Sequence, residues 1–188
     1  MTGEVVGADG RARCSWAGST PDYLGYHDLE WGRPVHGTVA LFERMSLEAF
    51  QSGLSWLTIL RKRPAFRTAF AGFDPARVAA FGDEDVRRLM ADAGIVRNRA
   101  KIDAAIANAR VITEGDIDLD TLLWSFAPDP PTAAPAAPGD VPAVTPESTA
   151  MAKALKREGF RFVGPTTAYA LMQATGMVND HLAACDFR

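Results

Sequence analysis

Four side chains of the kinds that bind transition metals lie at the two ends of this sequence. Cys14 and His27 stand near the start, whereas His181 and Cys185 stand near the end, four positions apart. Residues four apart share one face of a helix, so the second pair can meet one ion. Two thiolates and two imidazoles form the soft tetrahedral set expected of structural zinc. Because the paired CxxC spacing of common zinc sites is missing, two alternatives stay open: the residues are unrelated, or the cysteines form one disulfide.

An aromatic cluster with a single carboxylate forms a second candidate site. Glu48 lies between Leu47 and Phe50 in an apolar stretch, so we expect its side chain to be partly buried. A buried carboxylate needs a partner or a function. The alternative is an aromatic core with a solvated or salt-bridged glutamate. The cluster comprises Trp16, Tyr23, Tyr26, Trp31, Glu48 and Trp56.

A predicted helical hairpin over about residues 89–101 could bind phosphate. Gly94 can end the first helix in the left-handed conformation, and a second helix is predicted to begin around Arg97. Its free N–H groups and positive dipole end suit an anion, and Arg97, Arg99 and Lys101 add positive charge. This segment resembles a helix-hairpin-helix, which grips the DNA backbone without reading bases. The alternative is an ordinary helical hairpin with a solvated basic face.

The elements that must position these residues are helices. Over residues 41–60 the apolar residues recur at three- and four-residue intervals, with an interruption predicted at Ser52-Gly53. Asp74-Pro75 and Thr145-Pro146 are each predicted to cap and begin a helix. Strict alternation is nearly absent, so the sequence predicts an all-α fold of many short helices.

Length and composition define the class of protein. The chain has 188 residues, 47% hydrophobic and 23% charged, which is enough for one soluble domain without disulfides. We expect a flexible tail over residues 1–10 and one domain over 11–188, with a proline-rich surface loop at 127–148. Scarce cysteine argues against a secreted disulfide scaffold, and no apolar run reaches the ~20 residues of a membrane span. We therefore expect a cytoplasmic protein without membrane contact.

The formal charge of −3 averages over unlike segments. Residues 61–110 carry 11 basic and 6 acidic residues, whereas residues 111–150 carry 7 acidic residues and no basic ones. A basic domain is the usual mark of a nucleic-acid partner, so the average argues against one. A local basic segment can still bind phosphate, because screening over ~8–10 Å makes nearby charges count most.

Taken together, these segments resemble one family, the type I DNA-3-methyladenine glycosylases. The similarity runs in order over roughly residues 11–187 and leaves out only the tail and the proline-rich loop. It rests on long and specific motifs: CSW (14–16), YHDLEWG (26–32), LFERMSLEAFQSGLSW (41–56), DAGIVRNRAKI (92–102), KALKREGFRFVGPT (153–166) and MVNDHLAAC (177–185).

The resemblance implies an all-α, helix-hairpin-helix DNA glycosylase-like fold in which one structural Zn²⁺ joins the N- and C-terminal regions. The zinc ligands that it implies are Cys14, His27, His181 and Cys185. It implies Glu48 as the catalytic residue, with Tyr26, Trp56, Trp16 and Trp31 around the base. Leu54 matches the position that fills the gap left by an extruded nucleotide. The implied contacts of the hairpin with DNA come from Gly94, Arg97, Arg99 and Lys101.

The activity implied by the resemblance is excision of N3-methyladenine from alkylated double-stranded DNA. Nothing in the sequence suggests more than a monomer. The implied reaction is hydrolysis that leaves an abasic site, without a lyase step. The superfamily's usual catalytic aspartate would fall near Asp116 or Asp118, and neither lies in a matching motif, so no water-activating base is assigned. Two other hypotheses are a non-catalytic zinc-stabilised module that binds damaged DNA, and a zinc hydrolase. Four protein ligands disfavour the hydrolase, because catalytic zinc keeps an open position.

Overall fold

The computed structural model describes residues 3–188, which form a helical protein with one small antiparallel sheet. The strands are β1 (Glu4–Val6) and β2 (Ala12–Cys14). The α-helices of the described residues are α1 (Pro21–Leu29), α2 (Thr38–Gln51), α3 (Trp56–Ala69), α4 (Pro75–Ala79), α5 (Asp83–Ala91), α6 (Arg99–Glu114), α7 (Leu119–Trp124), α8 (Pro146–Arg157) and α9 (Pro165–Ala174). Short 3₁₀ turns cover Ser15–Ser19, Ala71–Phe73 and Pro138–Asp140.

The N-terminal hairpin is the main departure from the predicted all-α fold. Strand β1 pairs with β2 so that Val5 lies opposite Arg13, and Ser15 N donates to Gly3 O at 2.9 Å. The hairpin takes up part of the tail predicted over residues 1–10; residues 1–2 of that tail lie outside the described residues. A three-residue strand exists only through its partner, so the local pattern contained little signal for it. The flexibility of this segment stays a prediction.

Capping chemistry sets the helix boundaries that the sequence predicts. The Asp74 carboxylate accepts a hydrogen bond from Ala76 N at 2.9 Å, and Thr145 Oγ1 accepts one from Ser148 N at 3.2 Å. In both helices proline follows the cap, where its missing N–H costs nothing. The predicted interruption is also confirmed, since α2 ends at Gln51 and Gly53 adopts a φ of 84°.

Helix α2 lies at the centre of the fold and contacts α3, α4, α6, α7 and α9. Every residue from Met45 to Phe50 is buried, so this half of α2 is enclosed on all sides. Phe50 packs on Phe66 and Phe70, with ring centroids 4.7 and 5.7 Å away. This burial carries Glu48, the charged residue of that stretch, into the interior.

The proline-rich segment at 127–148 is mostly exposed, and it packs on the C-terminal turn. Pro135 O accepts a hydrogen bond from Ala183 N at 2.9 Å, and Asp140 closes a short turn by accepting from Ala137 N at 2.8 Å. The following helix α8 packs on α9, and α9 packs on α2. The segment therefore joins two parts of one hydrophobic core.

No helix within residues 3–188 combines the length and the apolar character that a membrane span requires.

Candidate active site and metal centre

A cleft of about 440 Å³ opens where α1, α2, α3 and α9 meet the turn that follows β2. Its volume suits a ligand of the size of a nucleobase. It brings together all five residues that the resemblance assigns to catalysis and to the base pocket. The lining residues are Trp16, Ser19, Tyr23, Tyr26, Trp31, Glu48, Gln51, Trp56, Ala170 and Gln173.

Glu48 is the buried acid of this cleft, with 5% of its surface exposed. Burial raises the pKa of its carboxyl group to about 8, and the positive charge of Arg44 opposes the shift only weakly. At neutral pH the group is therefore mainly protonated when the cleft holds no ligand. A carboxyl with this pKa ionises readily once a cation enters the cleft, because the opposite charge favours its anionic form.

Arg44, one helical turn before Glu48, belongs to an ion-pair network that ties α2 to α1 and α3. Its Nη2 donates to Glu30 at 2.7 Å, and Arg63 donates to the same carboxylate at 2.6 and 2.7 Å. Burial would raise the pKa of Glu30, yet the hydrogen bonds from Arg63 and Arg44 lower it to about 2. The network holds a positive charge near Glu48, and no local pattern in the sequence indicates it.

Aromatic rings build the walls of the cleft by contacting one another. The rings of Tyr26 and Trp56 lie 5.4 Å apart with their planes tilted by 49°. Because these two rings are in contact, there is no room for a flat ligand between them, and each ring offers its free surface to the cleft. Trp16 meets Tyr23 and Trp31 edge to face, at 5.5 and 5.1 Å. Electron-rich faces of this kind attract a cationic ring.

Leu54 projects from the turn between α2 and α3, with 43% of its surface exposed. Gln51 and Trp56 flank this turn and line the cleft, so Leu54 lies at the rim of the cleft. The backbone turns sharply here, with Leu54 N donating to Gln51 O at 2.6 Å. An apolar side chain that is exposed beside an aromatic cleft fits the wedge position implied by the resemblance.

Lys101 does not fit the predicted phosphate contact. It is buried, and its Nζ donates to Phe50 O at 2.9 Å and to Ser52 O at 2.5 Å. These carbonyl groups at the end of α2 have no partner within the helix, so the ammonium group satisfies them. Burial also lowers the pKa of Lys101. The residue anchors the turn that carries Leu54, a role that depends on a contact 51 residues away.

The hairpin predicted over residues 89–101 is present, with other roles for two of its residues. Helix α5 ends at Ala91, and α6 begins at Arg99 behind the Asn98 cap, later than predicted. Gly94 does not adopt a left-handed conformation. A Cβ there would lie 3.0 Å from Ala65 Cβ, so glycine is needed for close packing on α3.

The two arginines of this hairpin are exposed. Arg97 makes no ion pair within the described residues, and Arg99 pairs with Asp103 at 2.9 Å on the surface of α6. A surface pair of this kind contributes little stability and can exchange its partner. Both side chains are exposed, and their contact with phosphate stays a prediction.

Cys14, His27, His181 and Cys185 form a buried cluster whose donor atoms all lie within 4.8 Å of one another. This cluster can hold a metal ion and joins β2, α1 and the C-terminal turn. The second pair does not lie on a helix, because the backbone at 181–185 forms a turn closed by Cys185 N and Leu182 O at 2.9 Å. The turn nevertheless brings His181 Nδ1 to 3.3 Å from Cys185 Sγ.

The outer hydrogen bonds of the two histidines orient their rings toward the sulfur atoms. His27 Nδ1 contacts the Asp28 carboxylate at 2.8 Å, and its Nε2 faces Cys185 Sγ at 3.5 Å. His181 Nε2 contacts Trp31 O at 3.0 Å and leaves Nδ1 for the cluster. Burial lowers the pKa of His181 to about 4, which keeps the ring neutral as a ligand must be. The residues therefore fit a tetrahedral metal with orienting outer partners.

Arg13 extends the outer shell of the metal cluster. Its guanidinium group donates to both oxygens of Asp28 at 2.8 to 3.0 Å and to Asp9 at 2.7 and 2.8 Å. Arg13 thereby holds the Asp28 carboxylate in place, and this carboxylate in turn orients the ring of His27.

Gln173 and Gln51 are two further cleft residues. Gln173 lies near the end of α9. A glutamine near the end of an amphipathic helix is common, so its type and spacing gave no signal of a site.

Comparison with known proteins identifies the family of this chain. The family model for methyladenine glycosylases matches residues 16–188. The chain is 47% identical over 178 residues to DNA-3-methyladenine glycosylase 1 of Escherichia coli (strain K12), covering 92% of this chain and 95% of the relative. It is 41% identical to DNA-3-methyladenine glycosylase of Haemophilus influenzae, covering 92% of this chain and 96% of the relative.

Solved structures show the same similarity in three dimensions. A crystal structure of 3-methyladenine DNA glycosylase I superimposes with a TM-score of 0.88 at 46% identity, covering 93% of this chain and 98% of the other. The glycosylase I structure from Staphylococcus aureus that describes 3-methyladenine recognition gives 0.86 at 35% identity, covering 93% and 95%. Another, a variant in complex with 3-methyladenine, also gives 0.86 at 35% identity, covering 93% and 96%. The chain belongs to the methyladenine glycosylase family.

Proposed function

We propose that this chain is a DNA repair glycosylase that excises N3-methyladenine from alkylated DNA and leaves an abasic site. The observation that carries the proposal is one buried carboxyl group, raised in pKa, in a cleft walled by aromatic rings. An enzyme acting on a base in duplex DNA must extrude it from the stack, at a cost of a few kcal/mol. An open apolar cleft beside an exposed leucine suits that event.

The lesion itself supplies much of the reactivity. Methylation at N3 makes the base cationic, so the bond between C1′ and N9 is already weakened. When that bond breaks, its electron pair goes to N9 and the base leaves as neutral 3-methyladenine. The oxygen of a water molecule bonds to C1′ and releases its proton to solvent. Little general-acid assistance is then needed, and the protein contributes mainly binding and electrostatics.

Glu48 is the catalytic residue in this proposal. Its carboxylate accepts hydrogen bonds from the exocyclic amine of the lesion and complements the positive charge of the ring. Trp56 stacks on the base, Tyr26 contacts its edge, and Trp16 and Trp31 complete the aromatic surround. Undamaged adenine carries no positive charge and does not ionise Glu48, so it binds less well.

The metal of the Cys₂His₂ cluster is zinc in this proposal, one ion per chain, with a structural role. Two thiols and two neutral imidazoles are the donor set that Zn²⁺ prefers. Four protein ligands leave no open coordination position, so the ion tethers the two ends of the chain and takes no part in hydrolysis. A zinc hydrolase is therefore disfavoured.

The DNA partner is double-stranded and contains alkylated bases. Leu54 fills the space that the extruded nucleotide vacates, while the backbone near Gly94 and the side chains of Arg97 and Arg99 contact phosphates. Contacts of this kind position a protein without reading sequence, which suits a search for rare lesions. The protein acts in the cytoplasm as a monomer, with residues 11–188 as a single glycosylase domain.

Product analysis on methylated duplex DNA tests the proposed function. We expect the purified chain to release free 3-methyladenine and to leave intact strands that break only after alkali treatment of the abasic sites. If the chain binds the duplex but releases no base, the alternative of a non-catalytic zinc-stabilised module would be favoured. Strand breaks that appear without alkali would contradict the assignment as a hydrolase without lyase activity.

A further inference from the structure

The side chain of Gln173 is held in one orientation by a buried carboxylate. Asp180 Oδ2 accepts a hydrogen bond from Tyr169 Oη at 2.6 Å and from Gln173 Nε2 at 2.8 Å. Asp180 and Tyr169 are only 5% and 3% exposed. A carboxylate accepts and does not donate, so the amide must turn its NH₂ group toward Asp180. The carbonyl oxygen Oε1 of Gln173 therefore points away from it.

Gln173 is also part of the cleft wall, together with Glu48 and Trp56. Its backbone oxygen accepts a hydrogen bond from Gly32 N at 3.0 Å, which fixes the end of α9 against the segment after Trp31. No donor within residues 3–188 hydrogen-bonds to Oε1 of Gln173. The cleft thus contains an oriented acceptor that its own protein does not satisfy, and it belongs to a residue whose backbone and amide nitrogen are both fixed.

We propose that Gln173 is a specificity-determining residue, whose Oε1 selects purines with an amino group at position 6 over purines with a carbonyl group at that position. Tyr169 and Asp180 are positioning residues that keep this oxygen turned toward the ligand. The inference rests on the proposed function, because it assumes that the cleft receives a methylated purine.

The two N3-methylated purines differ in the feature that this oxygen would read. Adenine carries an amino group at position 6 and offers N–H donors, whereas guanine carries a carbonyl oxygen there. An ionised Glu48 and Gln173 Oε1 are both acceptors, so both require a donor from the ligand. A carbonyl group at position 6 would leave both acceptors unpaired and facing another acceptor, which is a strong basis for rejection.

A glutamine without the hydrogen bond to Asp180 would be flexible and would not discriminate between the two bases. A free amide rotates and offers NH₂ to a carbonyl as easily as it offers oxygen to an amine. The hydrogen bond from Gln173 Nε2 to Asp180 prevents this rotation, and the hydrogen bond from Tyr169 keeps the Asp180 carboxylate in place. Selectivity therefore depends on Tyr169, which does not line the cleft.

Single-turnover excision from duplexes with one 3-methyladenine or one 3-methylguanine tests the inference. For Gln173→Met we expect slower release of 3-methyladenine and unchanged or faster release of 3-methylguanine, so that the ratio of the two rates falls at least about tenfold. For Tyr169→Phe we expect the same ratio to fall about three- to fivefold, with a melting temperature lowered by only several degrees. A ratio equal to that of the unmodified chain in both variants would overturn the inference.

Binding of the free bases separates this inference from the proposed function. The probes are free 3-methyladenine and free 3-methylguanine, titrated against the intrinsic tryptophan fluorescence of the cleft. If the unmodified chain releases neither base from DNA, the proposed function fails, and the ratio of the two dissociation constants still tests Gln173. If the unmodified chain excises 3-methyladenine but Gln173→Met and Tyr169→Phe leave the ratio of the two excision rates unchanged, only the specificity role of Gln173 fails. If Gln173→Met does not fold, the ratio for Tyr169→Phe decides.

Discussion

Replacement of a metal ligand, by Cys14→Ser or His27→Asn, is expected to lower the melting temperature by about 10 to 20 °C. Cys14 lies in β2 and Cys185 in the last turn, so an ion bound by the cluster would close a loop over nearly the whole chain. The free energy of metal binding at such a site contributes to the free energy of folding. A loss of several kcal/mol lowers the melting temperature of a chain of this length by about 10 to 20 °C. Thermal unfolding followed by circular dichroism, with metal analysis of each variant, measures it.

The third histidine of the chain provides the matched control. His36 is exposed, contacts Asp120 at 2.9 Å and stacks on Trp124, outside the metal cluster. We expect His36→Asn to keep one zinc per chain and to melt within a few degrees of the unmodified protein. A chelator should reproduce the effect of Cys14→Ser, and added Zn²⁺ should reverse it in the unmodified chain alone. Equal melting temperatures for all three variants, with no metal bound to the unmodified chain, would contradict the zinc assignment.

The second large effect is expected from Glu48→Gln, which should lower single-turnover excision of 3-methyladenine at least about 100-fold. The substitution keeps the shape of the side chain and removes its ability to become an anion opposite the cationic base. The same change should stabilise the fold, because the buried carboxyl is costly at neutral pH. Activity and stability therefore move in opposite directions, which a loss of folding could not produce.

The pH dependence of stability follows from the raised pKa of Glu48. The pKa rises from 4.5 to about 8 on folding, so between these values the unfolded chain binds fewer protons than the native one. The carboxyl contributes its full stability below pH 4.5 and loses it as the pH rises to about 8. Because glutamine does not titrate, Glu48→Gln should be more stable than the unmodified chain by up to about 4 kcal/mol at pH 8. The difference should vanish near pH 4.

Denaturant unfolding at several pH values gives this difference directly. As a control, Glu43→Gln alters an acid on the same helix that pairs with Arg67 at the surface, at 2.8 Å. That variant should gain no stability as the pH rises. A constant free-energy difference between Glu48→Gln and the unmodified chain from pH 4 to 8 would show that Glu48 is not a raised-pKa acid.

Local sequence chemistry predicted much of the scaffold and the rough position of the cleft. The spacing of apolar residues on α2 predicted both the helix and the burial of Glu48, because both depend on one periodicity. The caps at Asp74 and Thr145 predicted two helix starts, since a cap acts within three residues. The residues of the metal cluster were predicted from their types and from the family motifs, and the structure brings them together.

The remaining details depend on contacts between distant parts of the chain. Lys101 was predicted to contact phosphate by its position, yet it satisfies carbonyl groups about 50 residues earlier in the sequence. Gly94 was predicted to adopt a left-handed conformation, whereas glycine is required there because Ala65 packs too closely to leave room for a Cβ. Gln173 became recognisable only through Asp180 and Tyr169. In each case the partner is set by tertiary packing, and no periodicity or capping rule encodes it.

A crystal structure of the chain with free 3-methyladenine shows whether this cleft receives the extruded base. We expect the purine to stack on Trp56, with its exocyclic amine within hydrogen-bond distance of the Glu48 carboxyl group and its ring beside Tyr26. A base bound outside this cleft, or one whose amine turns away from Glu48 with the carboxyl still unpaired, would contradict this expectation.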